Sequence, residues 1–322
     1  MSSVPSRQSD ANGAQPGPGI CSSDVKLPFQ YCIPAWLPDG RRIVTGCSAT
    51  SSVVIWNVTN GKLEGILQHG GLLCDVAVTR DGRKIISVSA DGSIKVWNIE
   101  MQRLLKEWNH PTESPSIAVS LDGQLVAASG DIVLIYTMEG KIKRRINPGL
   151  LPYCISFSPS SDKLACSTFD GISVYDIGSG ALVLAPSRVQ GLIESLLWSH
   201  DGCRLFSRSL GSLICCWNAD TGEQIGQPWL GDHIDRQFIT SLSLSPDGSI
   251  LASMTTGNLF QEGHTSIRFW DTSGNLIGQP VRIKENCTGL CFSPSGEFMA
   301  TTTMEEIHLW RVPTTVRKFS LK

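Results

Sequence analysis

The residues best equipped for chemistry in this 322-residue sequence are its thiols, its imidazoles and the acids beside them. His233 and His264 stand near Asp232 and Glu262, and two imidazoles with carboxylates are the donor types of a zinc site. Their separation matches no metal-ligand motif, so no metal is expected. The 11 cysteines are an odd number, scattered, with no Cys-x-x-Cys pair. Cys32, Cys74, Cys154 and Cys291 fall in apolar stretches, where a thiol packs as a small hydrophobe. Cys215 and Cys216 are adjacent; on a strand their side chains point to opposite faces and cannot share a metal. Phosphate loops, His-Glu-x-x-His, Gly-x-Ser-x-Gly and dinucleotide fingerprints are missing, so neither catalysis nor a cofactor is expected.

Charge narrows the partners. The chain has 27 basic and 29 acidic residues, a formal net charge of -2, which offers no global attraction to nucleic acid or anionic membrane. One basic run, Lys141-Ile142-Lys143-Arg144-Arg145, has two readings: an anionic contact, or a charged edge strand that resists edge-to-edge pairing. The second is favoured. No apolar run approaches the roughly 18 residues of a membrane span, and no signal segment opens the chain. Unpaired cysteines suit a reduced intracellular compartment, cytoplasmic or nuclear.

The elements that must carry these residues repeat. Residues 1–23 are rich in Ser, Pro and Gly and read as a disordered tail. From residue 24 to 322 a turn recurs between alternating apolar stretches: Asp39-Gly40, Asp81-Gly82, Asp122-Gly123, Asp201-Gly202, Asp247-Gly248 and Ser295-Gly296. Ser160-Ser161 stands at the remaining site. Asp bonds the neighbouring backbone and Gly accepts positive φ, which suits a tight hairpin. Two short strands follow each turn, the second ending in Trp56, Trp97, Tyr136, Tyr175, Trp217, Trp270 or Trp310. A period of about 40 with four strand-like pieces is the signature of a propeller blade. The spacing widens to 53 only between Trp217 and Trp270. A four-stranded sheet cannot bury both faces alone, so seven of them must stack around an axis. The fold class is all-β: a seven-bladed β-propeller of four-stranded antiparallel blades. Trp36, Phe157, Trp198 and Phe292, each just before a first turn, take the register of the buried aromatic on a blade's innermost strand.

Trp270-Asp271, Trp56-Asn57, Trp97-Asn98, Trp217-Asn218 and Tyr175-Asp176, with the Ser-Pro-Asp-Gly turns before them, resemble the Trp-Asp ends and first hairpins of the WD-repeat family. The resemblance covers about residues 31–321. It implies the family's structural tetrad at His69, Ser87, Asp91 and Trp97: an Asp orienting an imidazole, which bonds a hydroxyl, which accepts from the indole N–H. A serine, histidine and aspartate set of this kind is structural, since catalysis needs an exposed, activated nucleophile. Other repeats depart from the pattern. Gly211, His264 and Met304 occupy the Asp position, and the third and fourth repeats use Tyr, so those blades should rest on side-chain packing and be less rigid.

The family usually closes its ring with an N-terminal strand. Residues 20–27 make a poor strand, so Thr314 to Leu321 is expected to supply the outer strand of its own blade. The family also implies that loops leading into a blade share one face with those between its second and third strands. Both are enlarged in the sixth repeat, and long loops on a rigid scaffold carry recognition. Trp229, Asp232, His233, Arg236, Phe260, Glu262 and His264 are the expected partner-binding residues. The function expected is a non-catalytic scaffold or adaptor, a monomeric propeller within a larger complex, binding proteins or peptides. A ligand-sensing propeller similar to the WD-repeat part of fungal NACHT-type receptors is the alternative, on Gly226-Gln227-Pro228 and Gly278-Gln279-Pro280; a propeller enzyme is the remote one.

Overall fold

The computed structural model describes residues 16–21, 34–47, 50–111, 116–187, 192–209, 213–230, 238–256, 265–303 and 306–320. The first strand is β1 (Pro16–Cys21). Blade 1 then comprises β2 (Ala35–Trp36), β3 (Arg42–Cys47), β4 (Ser52–Asn57) and β5 (Lys62–Gln68). Blade 2 comprises β6 (Leu73–Val78), β7 (Lys84–Ser89), β8 (Ser93–Asn98) and β9 (Arg103–Asn109). Blade 3 has β10 (Ile117–Val119), β11 (Leu125–Ala128), β12 (Val133–Thr137) and β13 (Ile142–Ile146). Blade 4 has β14 (Cys154–Phe157), β15 (Lys163–Thr168), β16 (Gly171–Asp176) and β17 (Leu182–Ser187). In blade 5 these are β18 (Ile193–Trp198), β19 (Arg204–Ser209), β20 (Leu213–Asn218) and β21 (Gln224–Leu230). In blade 6 they are β22 (Phe238–Leu244), β23 (Ile250–Thr256), β24 (Thr265–Asp271) and β25 (Val281–Ile283). Blade 7 supplies β26 (Gly289–Phe292), β27 (Phe298–Thr302) and β28 (Ile307–Arg311), and a short helix, α1 (Thr314–Ser320), follows. Each blade is an antiparallel meander in chain order, innermost strand first, as the repeat requires.

Strand periodicity builds the ring. Side chains alternate between faces, so each strand serves two neighbours. On β3, Ile43 joins the cluster shared with blade 7 while Val44 joins the one shared with blade 2. Ile85 and Ile86 of β7 divide in the same way between blades 1 and 3. Each of the seven junctions between blades holds its own apolar cluster. The core is therefore distributed around the ring rather than concentrated at its centre. Trp198, Phe157 and Phe292 are buried in it from innermost strands, with Trp36 partly buried.

Ring closure differs from the sequence expectation. β1 pairs antiparallel with β28, matching Ile20 to His308 and Cys21 to Ile307, and completes blade 7 as its outer strand. That strand comes from within the stretch read as tail. Its composition hides it, because Pro16 and Pro18 lack N–H groups; an outer strand tolerates this since one side of its backbone needs no partner. The residues after Trp310 form α1 instead. Pro313 cannot donate to a ladder, and its carbonyl accepts the N–H groups of Val316 and Arg317, turning the chain into a helix. Val316 is buried among Ile277, Val281 and Val312, so α1 plugs the junction of blades 6 and 7.

In blades 2 to 7 the turn between innermost and second strands is held by the Ser or Thr that opens it; blade 1 has Leu37 there. Thr79 Oγ1 donates to Asp81 Oδ1 at 2.6 Å and accepts the Lys84 N–H at 3.1 Å; Ser120, Ser199 and Ser245 bond Asp122, Asp201 and Asp247 in the same way. In blade 4 Ser161 adopts the left-handed conformation that glycine takes elsewhere, with φ 61°, and Asp162 accepts the Ser158 hydroxyl. The seven turns lie on one face, called here the turn face. Among the described residues, loops that lead into a blade or join its second and third strands lie on the opposite, loop face.

Candidate functional site

The tetrad of the second repeat is assembled, with one substitution of partner. Trp97 Nε1 donates to Ser87 Oγ at 2.8 Å, and Ser87 Oγ lies 2.7 Å from His69 Nδ1. The far imidazole nitrogen, Nε2, meets Ser93 Oγ at 2.8 Å rather than Asp91. Asp91 accepts the Ser89 hydroxyl and the Ser93 N–H, and Ser89 and Ser93 hydroxyls touch at 2.6 Å. One hydrogen per hydroxyl then fixes the direction of the chain. Ser89 gives its proton to Asp91, and Ser93 gives its own to Ser89 or to Asp91. His69 must give Nε2–H to Ser93, and Ser87 gives its proton to Nδ1. The imidazole is neutral, consistent with a pKa held down by burial and by nearby Lys95. Asp91, bonded by Ser89 and Ser93, is lowered to about 2. Ser87 is 0% exposed and its hydroxyl is committed on both sides, so this serine, histidine and aspartate set reaches no substrate. Its work is mechanical: His69 follows β5 of blade 1, and the chain of bonds ties that strand to blade 2.

Among the described residues, blades 1, 5, 6 and 7 show the indole half. Trp56 donates to Thr45, Trp217 to Ser207, Trp270 to Ser253 and Trp310 to Thr301. Gly211, His264 and Met304 lie outside the described residues. In blade 3 the Tyr136 hydroxyl is buried without a hydrogen-bond partner among the described residues, and its ring packs on Trp108 and His110. Burial pushes that phenol up to about 12.

Of the residues expected to bind a partner, Trp229 is described, and it is core. Only 6% exposed, it lies between Phe206 at 5.8 Å and Trp270 at 5.9 Å in the junction of blades 5 and 6. β21 is an outer strand, yet Trp229 points back over the blade because Gly274 leaves room for the indole. Asp232, His233, Arg236, Phe260, Glu262 and His264 lie outside the described residues. Among the described residues no three His, Cys, Asp or Glu side chains group as a metal site. Cys215 and Cys216 separate onto opposite faces, into the clusters on either side of blade 5. The basic run falls on β13, the outer edge of blade 3, where Arg144 donates to the Ile177 and Gly178 carbonyls of blade 4. It is an edge strand with one of its cations used as a staple.

Two features were not read from the sequence. At the loop-face mouth of the channel, Asp75 of β6 accepts the Ile117 N–H of blade 3 at 3.0 Å and the Val76 N–H at 2.8 Å. Burial nevertheless pushes its carboxyl up to about 6. Across the mouth, Arg208 pairs with Glu194 at 2.5 Å and donates to the Ile239 carbonyl of blade 6. Both groups tie adjacent blades together at the hub.

The second feature is an apolar patch on the loop face of blade 4. Phe169, in the turn between β15 and β16, is 71% exposed. Leu150, Leu151 and Tyr153, in the segment leading into β14, are each 40% exposed or more, and the Tyr153 N–H bonds the Ser167 carbonyl, which sets the two segments side by side. The signal was present: Phe169-Asp170-Gly171 occupies the place of Ala90-Asp91-Gly92, with a large aromatic where blade 2 has alanine.

The family model described as WD domain, G-beta repeat matches residues 61–98. That span runs from the outer strand of blade 1 through the third strand of blade 2 and contains the whole His69 network. WD repeat-containing protein 90 from Xenopus tropicalis is 24% identical over 77% of this chain and 13% of its own length. Small ribosomal subunit protein RACK1y from Oryza sativa subsp. japonica is 29% identical over 56% of this chain and 44% of its own. Transcription factor unc-37 from Caenorhabditis elegans is 22% identical over 99% and 47%. The chain thus spans less than half the length of each of these curated relatives. The crystal structure of the Myceliophteria thermophila Cps50 (Swd1) beta-propeller domain superposes with a TM-score of 0.75 at 15% identity, covering 87% of this chain and 96% of that one, a likeness of fold. Seven four-stranded blades closed by an N-terminal strand make this chain a β-propeller, and the repeat model matching the stretch that carries the His69 network is what it shares with the WD-repeat family.

Proposed function

We propose that this chain is a non-catalytic platform that binds proteins or peptides on its loop face. The observation that carries the reading is the patch of Phe169, Tyr153, Leu150 and Leu151. Four large apolar side chains side by side on a rigid rim are the composition of an interface core, and an exposed aromatic is the residue type that dominates binding energy there. Burying a phenylalanine side chain contributes about 1.5–3 kcal/mol, which no monomer surface position recovers. The relatives described as a ribosomal subunit protein and a transcription factor lend support, since both names describe proteins of larger assemblies.

Asp232, His233, Arg236, Phe260, Glu262 and His264 remain candidates by chain position: in the sequence they fall between β21 and β22 and between β23 and β24. An intracellular compartment accords with the free thiols of Cys154, Cys166, Cys203, Cys215, Cys216, Cys287 and Cys291. Affinity purification with quantitative mass spectrometry, comparing wild type with a Phe169→Ser, Tyr153→Ser double variant, tests the reading. Loss of a stoichiometric partner with an unchanged melting curve is the expected result; a partner set identical for both would overturn the assignment of the patch. Partners that appear only after a stimulus would favour a sensor over an adaptor.

A further inference from the structure

On the turn face, the central channel opens into a cavity of about 520 Å³ bounded by blades 2 to 6. Its walls include Phe157, Trp198, Leu121 and Pro159, and its two groups able to carry positive charge are Arg80 and His200. Arg80, Leu121, Pro159 and His200 come from one repeat position, the residue before the turn Asp or Ser, which elsewhere is Pro38, Pro246 and Pro294. At that position the residue normally lies on the next blade's turn glycine. Pro38 lies against Gly82, Pro159 against Gly202, His200 against Gly248 and Pro246 against Gly296. Pro294 leaves Gly40 with nothing within 4 Å, and Arg80 departs from the pattern too. Gly123, the next turn glycine, has only Thr79 beside it, because Arg80 leaves that seat and lines both the channel cavity and an adjoining one of about 370 Å³.

No carboxylate lines the larger cavity. The acids of the adjoining one are committed to their own turns: Asp81 to the Thr79 hydroxyl and Arg83 N–H, Asp122 to the Ser120 hydroxyl and Gln124 N–H. Lys84 adds a further cation there, and among the described residues Arg80 forms no ion pair. An unpaired guanidinium beside an apolar wall is a receptor for a carboxylate attached to an apolar body.

We propose that this mouth binds a short acidic peptide segment of the pattern acid–apolar–acid, one carboxylate on Arg80, the other at His200, and the apolar side chain on Leu121 and Pro159 between them. The order of blades argues for a peptide: Arg80 and His200 stand three blades apart, with the apolar residues on the two blades between. A single compact anion would engage one side only. The site is on the opposite face from the Phe169 patch and is independent of it.

Fluorescence anisotropy with a fluorescein-labelled Ser-Glu-Leu-Glu-Ser peptide tests this on the full chain. Saturable binding is expected, weakened about tenfold or more by Arg80→Gln or by replacing both glutamates of the peptide with glutamine. His200→Gln should weaken it less, and Phe169→Ser should leave it unchanged. Equal affinity for the Arg80→Gln variant or for the glutamine peptide would overturn the proposal, as would no binding to wild type at about 5 mM protein. Glutarate competing with the same Arg80 dependence and equal affinity would identify a small di-acid site and overturn the peptide reading. Phe169→Ser abolishing binding would move the contact to the loop face and overturn the site as well.

Discussion

His69 donates its Nε2 proton to Ser93, 2.8 Å away, and not to Asp91. Asp91 acts one step removed, by accepting from Ser89 and from the Ser93 backbone. Ser93→Ala should therefore break the chain at its middle, stranding a buried imidazole N–H at a cost of about 1–3 kcal/mol, with Ser93→Thr retaining most of the stability. Thermal melting of the two variants checks this. If Asp91 oriented the ring directly, Ser93→Ala would be close to neutral.

Gly274→Ala should be among the most damaging single-methyl changes in the chain. Its backbone has φ 90°, and an added Cβ would overlap the Trp229 indole, which cannot retreat between Phe206 and Trp270. Left-handed strain of about 1–2 kcal/mol adds to overpacking of about 1–3 kcal/mol. A fall in Tm of roughly 5–10 °C by calorimetry is the expected outcome.

Asp75 should give the stability a pH dependence opposite to that of an ordinary paired carboxylate. Between its unfolded value near 3.8 and its folded value of about 6, the native chain holds a proton that the unfolded chain has released. Its contribution is thus fullest below the unfolded value and is lost as pH rises through about 6. Asp75→Asn stays neutral throughout, so its Tm relative to wild type should rise between pH 4.5 and 7.5 by a few degrees (~1–2 kcal/mol). A difference constant with pH would refute the assignment.

Deleting residues 1–21 removes β1 and unpairs the outer edge of β28. Lost ladder bonds at about 0.5–1.5 kcal/mol each lower stability by roughly 1–4 kcal/mol, and the bare edge promotes association. Melting curves and size-exclusion profiles of the truncated chain read both effects.

Ser161→Gly should stabilise. Serine there takes a left-handed φ of 61° that glycine adopts freely, and its one interblade bond, from the Asp122 N–H, is long at 3.3 Å and exposed. A gain of about 0.5–1 kcal/mol, seen as a Tm rise of roughly 1–3 °C, is the expected outcome.

What the residues alone determined is whatever is local and periodic. Alternation sets which side chains face which neighbour, Asp-Gly turns set the hairpins, and seven aromatics at a spacing near 40 set the number of blades; these follow from backbone geometry that each stretch carries within itself. The Trp97, Ser87 and His69 contacts were legible through the resemblance of this repeat to the WD-repeat family, not through the period itself. Tertiary structure decided what depends on contacts between distant parts of the chain. β1 became a strand only because β28 offered an unpaired edge, and residues 314–320 became a helix because that edge was already taken. Trp229 was drawn into the core by space at Gly274, 45 positions away, while Phe169 was left in solvent because its turn has no blade above it. Burial and strand pairing are settled by which surfaces meet, and composition along the chain does not hold that information.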